Sequence, residues 1–134
     1  MNRHESRELA FVLLFEKSFG DATLEELVEA AGEAWDVVAG SFSLEVANGV
    51  CTEQAQLDER IQAHSLNWNV NRISRVARTV LRLALYEMLY REDVPVSVAI
   101  NEAVELAKKN GGEEDASFVN GVLGGIARAL PQQD

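Results

Sequence analysis

Residues Val94–Lys109, VPVSVAINEAVELAKK, leave the chain little choice of local structure. From Val96 on, the apolar Val96, Ala99, Ile100, Ala103, Val104, Leu106 and Ala107 fall on one side of a helix of about 3.6 residues per turn. Ser97, Asn101, Glu102, Glu105, Lys108 and Lys109 fall on the other. Pro95 suits a first turn, where an N–H has no intrahelical partner. Glu105 precedes Lys109 by four residues, the favourable order for an ion pair, and the two lysines sit where the helix dipole favours cations. Gly111 is expected to stop the helix. The wet face reads as solvated surface rather than as a reaction site.

The same period recurs along the chain. Asn2 or Ser6 can cap a first helix running to about Ser18. Its LAFVLLF run is apolar all round, so the helix is expected to be enclosed. Thr23-Leu24-Glu25-Glu26 reads as a capping box opening a second helix to about Ala39, with Trp35 in the core. Ser41 or Ser43 starts a third helix to about His64, with Val46, Ala47, Val50, Leu57 and Ile61 as its stripe. Ser65–Asn71 is a connector, with Trp68 filling the gap between the two halves. Ile73, Val76, Ala77, Val80, Leu81, Ala84 and Met88 stripe the next helix. A last one, about Asp115–Leu130, buries Phe118, Val119, Val122, Leu123, Ile126 and Leu130. No segment alternates like a strand. Six or seven helices with short connections predict an all-α bundle.

A chain of 134 residues predicts a single domain. The longest apolar run is too short to span a membrane, and the N-terminus lacks a signal-peptide layout. A lone cysteine, Cys51, excludes an internal disulfide, and a reducing, cytoplasmic setting is expected. His4 and His64 have no Cys or second His at ligand spacing, so no metal site is expected. No phosphate loop, dinucleotide fingerprint or nucleophile elbow is present, and no enzyme activity or cofactor is expected.

The net charge of −10 argues against nucleic acid only if it is spread evenly. It is not. Residues 1–65 carry 4 basic and 13 acidic side chains, whereas residues 66–134 carry 8 and 9. Arg3 and Arg7 lie one turn apart at a helix start, where cations are unfavourable. Their placement there invites a functional explanation or a solvated one. Arg72, Arg75, Arg78 and Arg82 lie within about a third of a helix circumference. They form a ridge that either meets a partner or pairs internally with Glu87, Glu102 or Glu105. Gly121, Gly124 and Gly125 each cost a helix about 1 kcal/mol relative to Ala. Close approach of a neighbouring helix, or of a phosphate backbone, would account for them.

Three blocks in the second half, LRLALYEM at Leu81–Met88, DVPVSVAINEAVELAKK at Asp93–Lys109 and SFVNGVL at Ser117–Leu123, resemble the NusB transcription antitermination family. RHESRELAFVLLFE resembles that family's first helix, so the likeness spans essentially the whole chain. The resemblance implies an all-α fold of two packed helical subdomains, about 1–65 and 66–134. It implies binding to boxA, a short single-stranded RNA element of rRNA operon leaders. It further implies a small-subunit ribosomal protein in the NusE role as partner, and assembly on elongating RNA polymerase with other Nus factors. By position, Arg3, Arg7, Lys108, Lys109, Phe118 and Asn120 match the RNA side. Phe15, Arg72, Arg75 and Arg78 match the side facing the protein partner. Phosphate contacts from arginines and base stacking on Phe118 are the physics such a site needs, though Phe118 reads equally well as a core anchor. The family's first helix usually opens rich in arginine, and here only Arg3 and Arg7 match it.

Two other readings stay open. One is a protein-interaction module of the same fold with little RNA binding. The other is an accessory to rRNA modification, since rRNA cytosine methyltransferases share the fold. The chain ends at Asp134 without room for a methyltransferase domain, which makes a stand-alone member the expectation.

Overall fold

A computed structural model describes residues 2–35, 41–65 and 73–131, with the side chains of 33–35 outside that description. Among the described residues there are six helices: α1 Arg3–Lys17, α2 Leu24–Trp35, α3 Phe42–His64, α4 Arg75–Tyr90, α5 Val96–Gly111 and α6 Glu113–Ala129. Among the described residues there is no strand.

Local chemistry sets the helix starts. The Asn2 side chain accepts from the Glu5 N–H at 2.8 Å. Thr23 and Glu26 close the expected box, with Thr23 Oγ1 accepting from the Glu26 N–H and Glu26 Oε1 accepting from the Thr23 N–H. Ser41, not Ser43, caps α3. Ser43 is buried and its hydroxyl donates to the Ser6 carbonyl of α1 at 2.8 Å, tying two helices together. Ser74 caps α4 by accepting from the Ala77 N–H and donates to Asp115 near the start of α6.

Two boundaries differ from expectation. Pro95 is the N-cap of α5 rather than its first helical residue, and Gly111 is the last helical residue rather than the stop. The break is Gly112, whose φ of 98° only glycine adopts without strain. Its N–H donates to the Ala107 and Lys108 carbonyls at 3.1 Å, and α6 begins at the next residue. Residues 36–40, Trp68 and Arg72 lie outside the described residues, as does the Trp35 side chain.

α4 is the most enclosed element. It packs on α1, α3, α5 and α6, and α1 packs on α2, α3 and α4. Leu81, Leu83 and Leu85 of α4 are all essentially inaccessible, because four helices pack around it. Residues from Leu9 to Ile126 form one connected core. No helix of the described residues is long and apolar enough to cross a membrane.

The close approaches are not where the glycines of α6 predict. A Cβ on Gly121 would meet nothing within 4 Å, and those on Gly124 and Gly125 would make ordinary contacts. The tight glycines are Gly49 of α3, where a Cβ would overlap the Tyr86 ring of α4, and Gly111 at the end of α5, where it would overlap the Asp115 carboxylate. Gly121→Ala is therefore expected to raise stability by about 0.5–1 kcal/mol. Chemical denaturation checks this, and a loss would mean that another group packs against Gly121.

Candidate nucleic-acid and protein interfaces

The start of α1 lies along α5, and ion pairs stitch the seam. Arg3 reaches Asp93 at 3.5 Å, His4 Nδ1 lies 2.8 Å from Glu102, and Lys109 lies 3.0 Å from Glu8. The Glu102 contact, with Glu8 and Glu105 nearby, raises the His4 pKa above its ordinary value. His4, Glu102 and Glu105 bring potential metal-ligating atoms within 4.8 Å of one another. Both ring nitrogens already face carboxylates, Nε2 lying 3.1 Å from Glu8.

Arg7 is not the exposed cation its place at a helix start suggested. It is 3% exposed, and Glu87 of α4 is 1% exposed. Arg7 Nε donates to Glu87 Oε1 at 2.9 Å, and Nη2 reaches the same oxygen at 2.8 Å. A neighbouring helix covers this side of α1, so the guanidinium is spent inside the protein. Burial pushes the Glu87 carboxyl up, and the bond from Arg7 pulls it only part of the way back.

Beside this pair a half-buried aromatic ring lies among arginines. The Phe42 ring, at the start of α3, has the guanidiniums of Arg3, Arg91 and Arg7 at 4.1, 5.0 and 5.3 Å from its centre. Arg91 also bonds Glu45 and Asp93. Neither Phe42 nor Arg91 was legible as a site residue, since nothing local in the sequence joins positions so far apart.

The other RNA-side candidates lie towards the far end of α5. Lys108 is exposed and 3.9 Å from Glu113. Asn120 is exposed on α6. Phe118 is half-buried, packs on the core and lines a cavity of about 540 Å³ with Ile73, Ser74, Glu114 and Asp115. Arg3, beside the start of α5, and Phe118, beyond its end, are therefore separated by a helix of 16 residues, about 24 Å long.

A second face is built from the end of α1 and the start of α4. Phe11, Phe15 and Phe19 form a ladder, with Phe15 stacked on Phe11 at 5.4 Å and edge-on to Phe19 at 4.9 Å. Phe19 is 63% exposed, and the Arg75 guanidinium covers its ring at 4.3 Å. Arg75 also donates to the Ser18 carbonyl. Arg82 does pair internally, but with Asp58 of α3, at 2.7 and 2.9 Å, and not with Glu87, Glu102 or Glu105. The Arg78 guanidinium makes no hydrogen bond or ion pair among the described residues. Phe19 was missed in the sequence, although spacing of four from Phe15 places both on one helix face.

Comparison with known proteins places this arrangement. The NusB family model matches residues 4–128. Transcription antitermination protein NusB of Carboxydothermus hydrogenoformans is 43% identical, over 98% of this chain and 96% of that protein. Its namesake in Bacillus subtilis is 42% identical, over 98% and 99%. The structure of T. maritima NusB superposes with a TM-score of 0.87 at 37% identity, covering 96% of this chain and 92% of that one. The fold is also that of a chain in the crystal structure of antitermination factors NusB and NusE in complex with dsRNA, with a TM-score of 0.86 at 24% identity. That likeness covers 96% of this chain and 97% of the other.

Proposed function

Since the chain belongs to the NusB family, we propose that it binds boxA-type single-stranded RNA of rRNA operon leaders jointly with a small-subunit ribosomal protein in the NusE role. In this reading residues 1–134 act as one domain in the cytoplasm, with helical subdomains of about 1–65 and 66–134. The complex assembles on RNA polymerase with other Nus factors and sustains transcription. The observation that carries the proposal is the aromatic and arginine face of Phe15, Phe19, Arg75 and Arg78. An exposed ring, Phe19, over a half-buried one, Phe15, beside arginines is the composition of a protein-interface hot spot. Arg72, outside the described residues, enters this reading through the family resemblance alone.

The RNA side runs from Arg3, with Phe42 and Arg91, to Lys108, Lys109, Phe118 and Asn120. An extended strand suits residues spaced along one helix better than a compact ligand does. Arg7 supports this side from within, by holding α1 on α4.

Most cations on that side already face carboxylates, so phosphate contacts must compete with them. RNA binding by the chain alone is therefore expected to be weak and to tighten in the presence of the ribosomal protein. The coupling should be about 1–3 kcal/mol, or roughly 5- to 150-fold in affinity. Titrating labelled boxA RNA with the chain, with and without the ribosomal protein, checks this. Equal affinity in both titrations would overturn cooperative binding. No RNA binding in either, with the protein complex intact, would favour the interaction-module reading that the paired cations also support.

A further inference from the structure

The ends of α1 and α3's middle turns enclose, with the first half of α4, a pocket of about 270 Å³. Its wall includes Lys17, Arg75, Arg78 and Arg82, and no carboxylate of the described residues lines it. This is an unusual concentration in a chain of net charge −10. Elsewhere Arg3, Arg7, Arg91, Lys108 and Lys109 each face an acidic side chain.

Of the four cations, Arg82 alone forms an ion pair among the described residues, with Asp58, whose charge also reaches Arg78 more weakly than the arginines do. Arg75 spends one N–H on the Ser18 carbonyl and its flat face on Phe19, and neither cancels its charge. The Lys17 ammonium and the Arg78 guanidinium have no hydrogen-bond or ion-pair partner among the described residues. Holding these charges together is unfavourable. Burial, then repulsion from Arg82 and Arg75, lowers the Arg78 pKa. The field reaches the Cys51 thiol, where Lys17 and Arg82 partly offset the rise caused by burial. An anion placed between them would relieve that repulsion in a recess where water screens it less than in bulk.

We propose that this pocket is a binding site for a compact phosphate-class dianion, held by Lys17 and Arg78, with Arg75 and Arg82 lending charge. A guanidinium grips two oxygens of such an anion at once, and an ammonium serves as a point charge beside it. The Gln54 amide is a further donor in the wall. A single carboxylate would leave more of the positive charge uncompensated than a dianion does. The ion can come from free phosphate or from the phosphoryl group of a small phosphomonoester.

The test uses the whole chain alone, so its outcome is independent of RNA or protein-partner binding. Inorganic phosphate and glycerol phosphate are titrated calorimetrically at mildly alkaline pH, with chloride replaced to keep ionic strength constant. Saturable one-site binding is expected. Arg78→Met and Lys17→Met should each weaken it about tenfold or more, the loss of one charge-assisted contact. Arg128→Met, on a distant surface, should leave it unchanged. Tighter binding of the ester would identify a phosphomonoester as the occupant, and equal or weaker binding would identify the free ion. Circular dichroism of both pocket variants controls for folding. Absence of saturable binding by the unmodified chain would overturn the proposal, as would wild-type affinity in the two folded variants.

Discussion

Truncating Glu87 to alanine is expected to lower stability by about 3–5 kcal/mol, because it strands the Arg7 guanidinium in the core without a counter-charge. For a domain of this size that is a fall in Tm of roughly 10–20 °C. The pair is almost wholly enclosed between α1 and α4, so water cannot replace the lost carboxylate. Replacing both partners has a different expected result. Burial raises the Glu87 pKa despite the bond from Arg7, so desolvation outweighs the pairing. An Arg7→Met, Glu87→Leu double variant is therefore expected to be about as stable as the original chain, or up to about 4 kcal/mol more stable. Thermal unfolding of the single and double variants decides this, and a Glu87→Ala protein with unchanged Tm would refute the buried-pair account. The double variant also tests the RNA side. It should keep its RNA affinity if Arg7 acts only by holding α1 in place, and lose it if the guanidinium reaches a phosphate.

Reversing Arg78 to glutamate is expected to weaken the complex with the ribosomal protein by about 2 kcal/mol or more, the usual effect of removing an interface anchor. The free chain should not lose stability. The Arg78 side chain has no hydrogen bond or ion pair among the described residues, and a carboxylate there exchanges repulsion from Arg82 and Arg75 for attraction, against a smaller repulsion from Asp58. A Tm equal to or above that of the original chain is therefore expected alongside the binding defect. Calorimetry of the complex and thermal unfolding of the chain, made on the same preparation, separate the two effects. A large fall in Tm would show that Arg78 serves the fold, and unchanged binding would remove the ridge from the partner face.

The helices and their starts were legible because their signals are local. The Thr23 and Glu26 box, the Asn2 and Ser41 caps and the stripe of α5 all depend on groups three or four residues apart. The family was legible for a related reason, since blocks such as VAINEAVELAK carry the packing face of a whole helix. Periodicity says which face of a helix is apolar, but not what stands opposite the residues at its edge. Arg7 was buried by a glutamate 80 positions away, and Arg82 found Asp58 instead of the acids nearest in expectation. Phe42 gathered three arginines from α1 and the end of α4 that no spacing connects. The glycines of α6 were misread because a helix-weakening residue implies a neighbour only if one is there, and only the packed structure shows that Gly49 has one and Gly121 does not. Whether an arginine is spent inside or left outside depends on the helix laid against it, and that was decided by the tertiary structure alone.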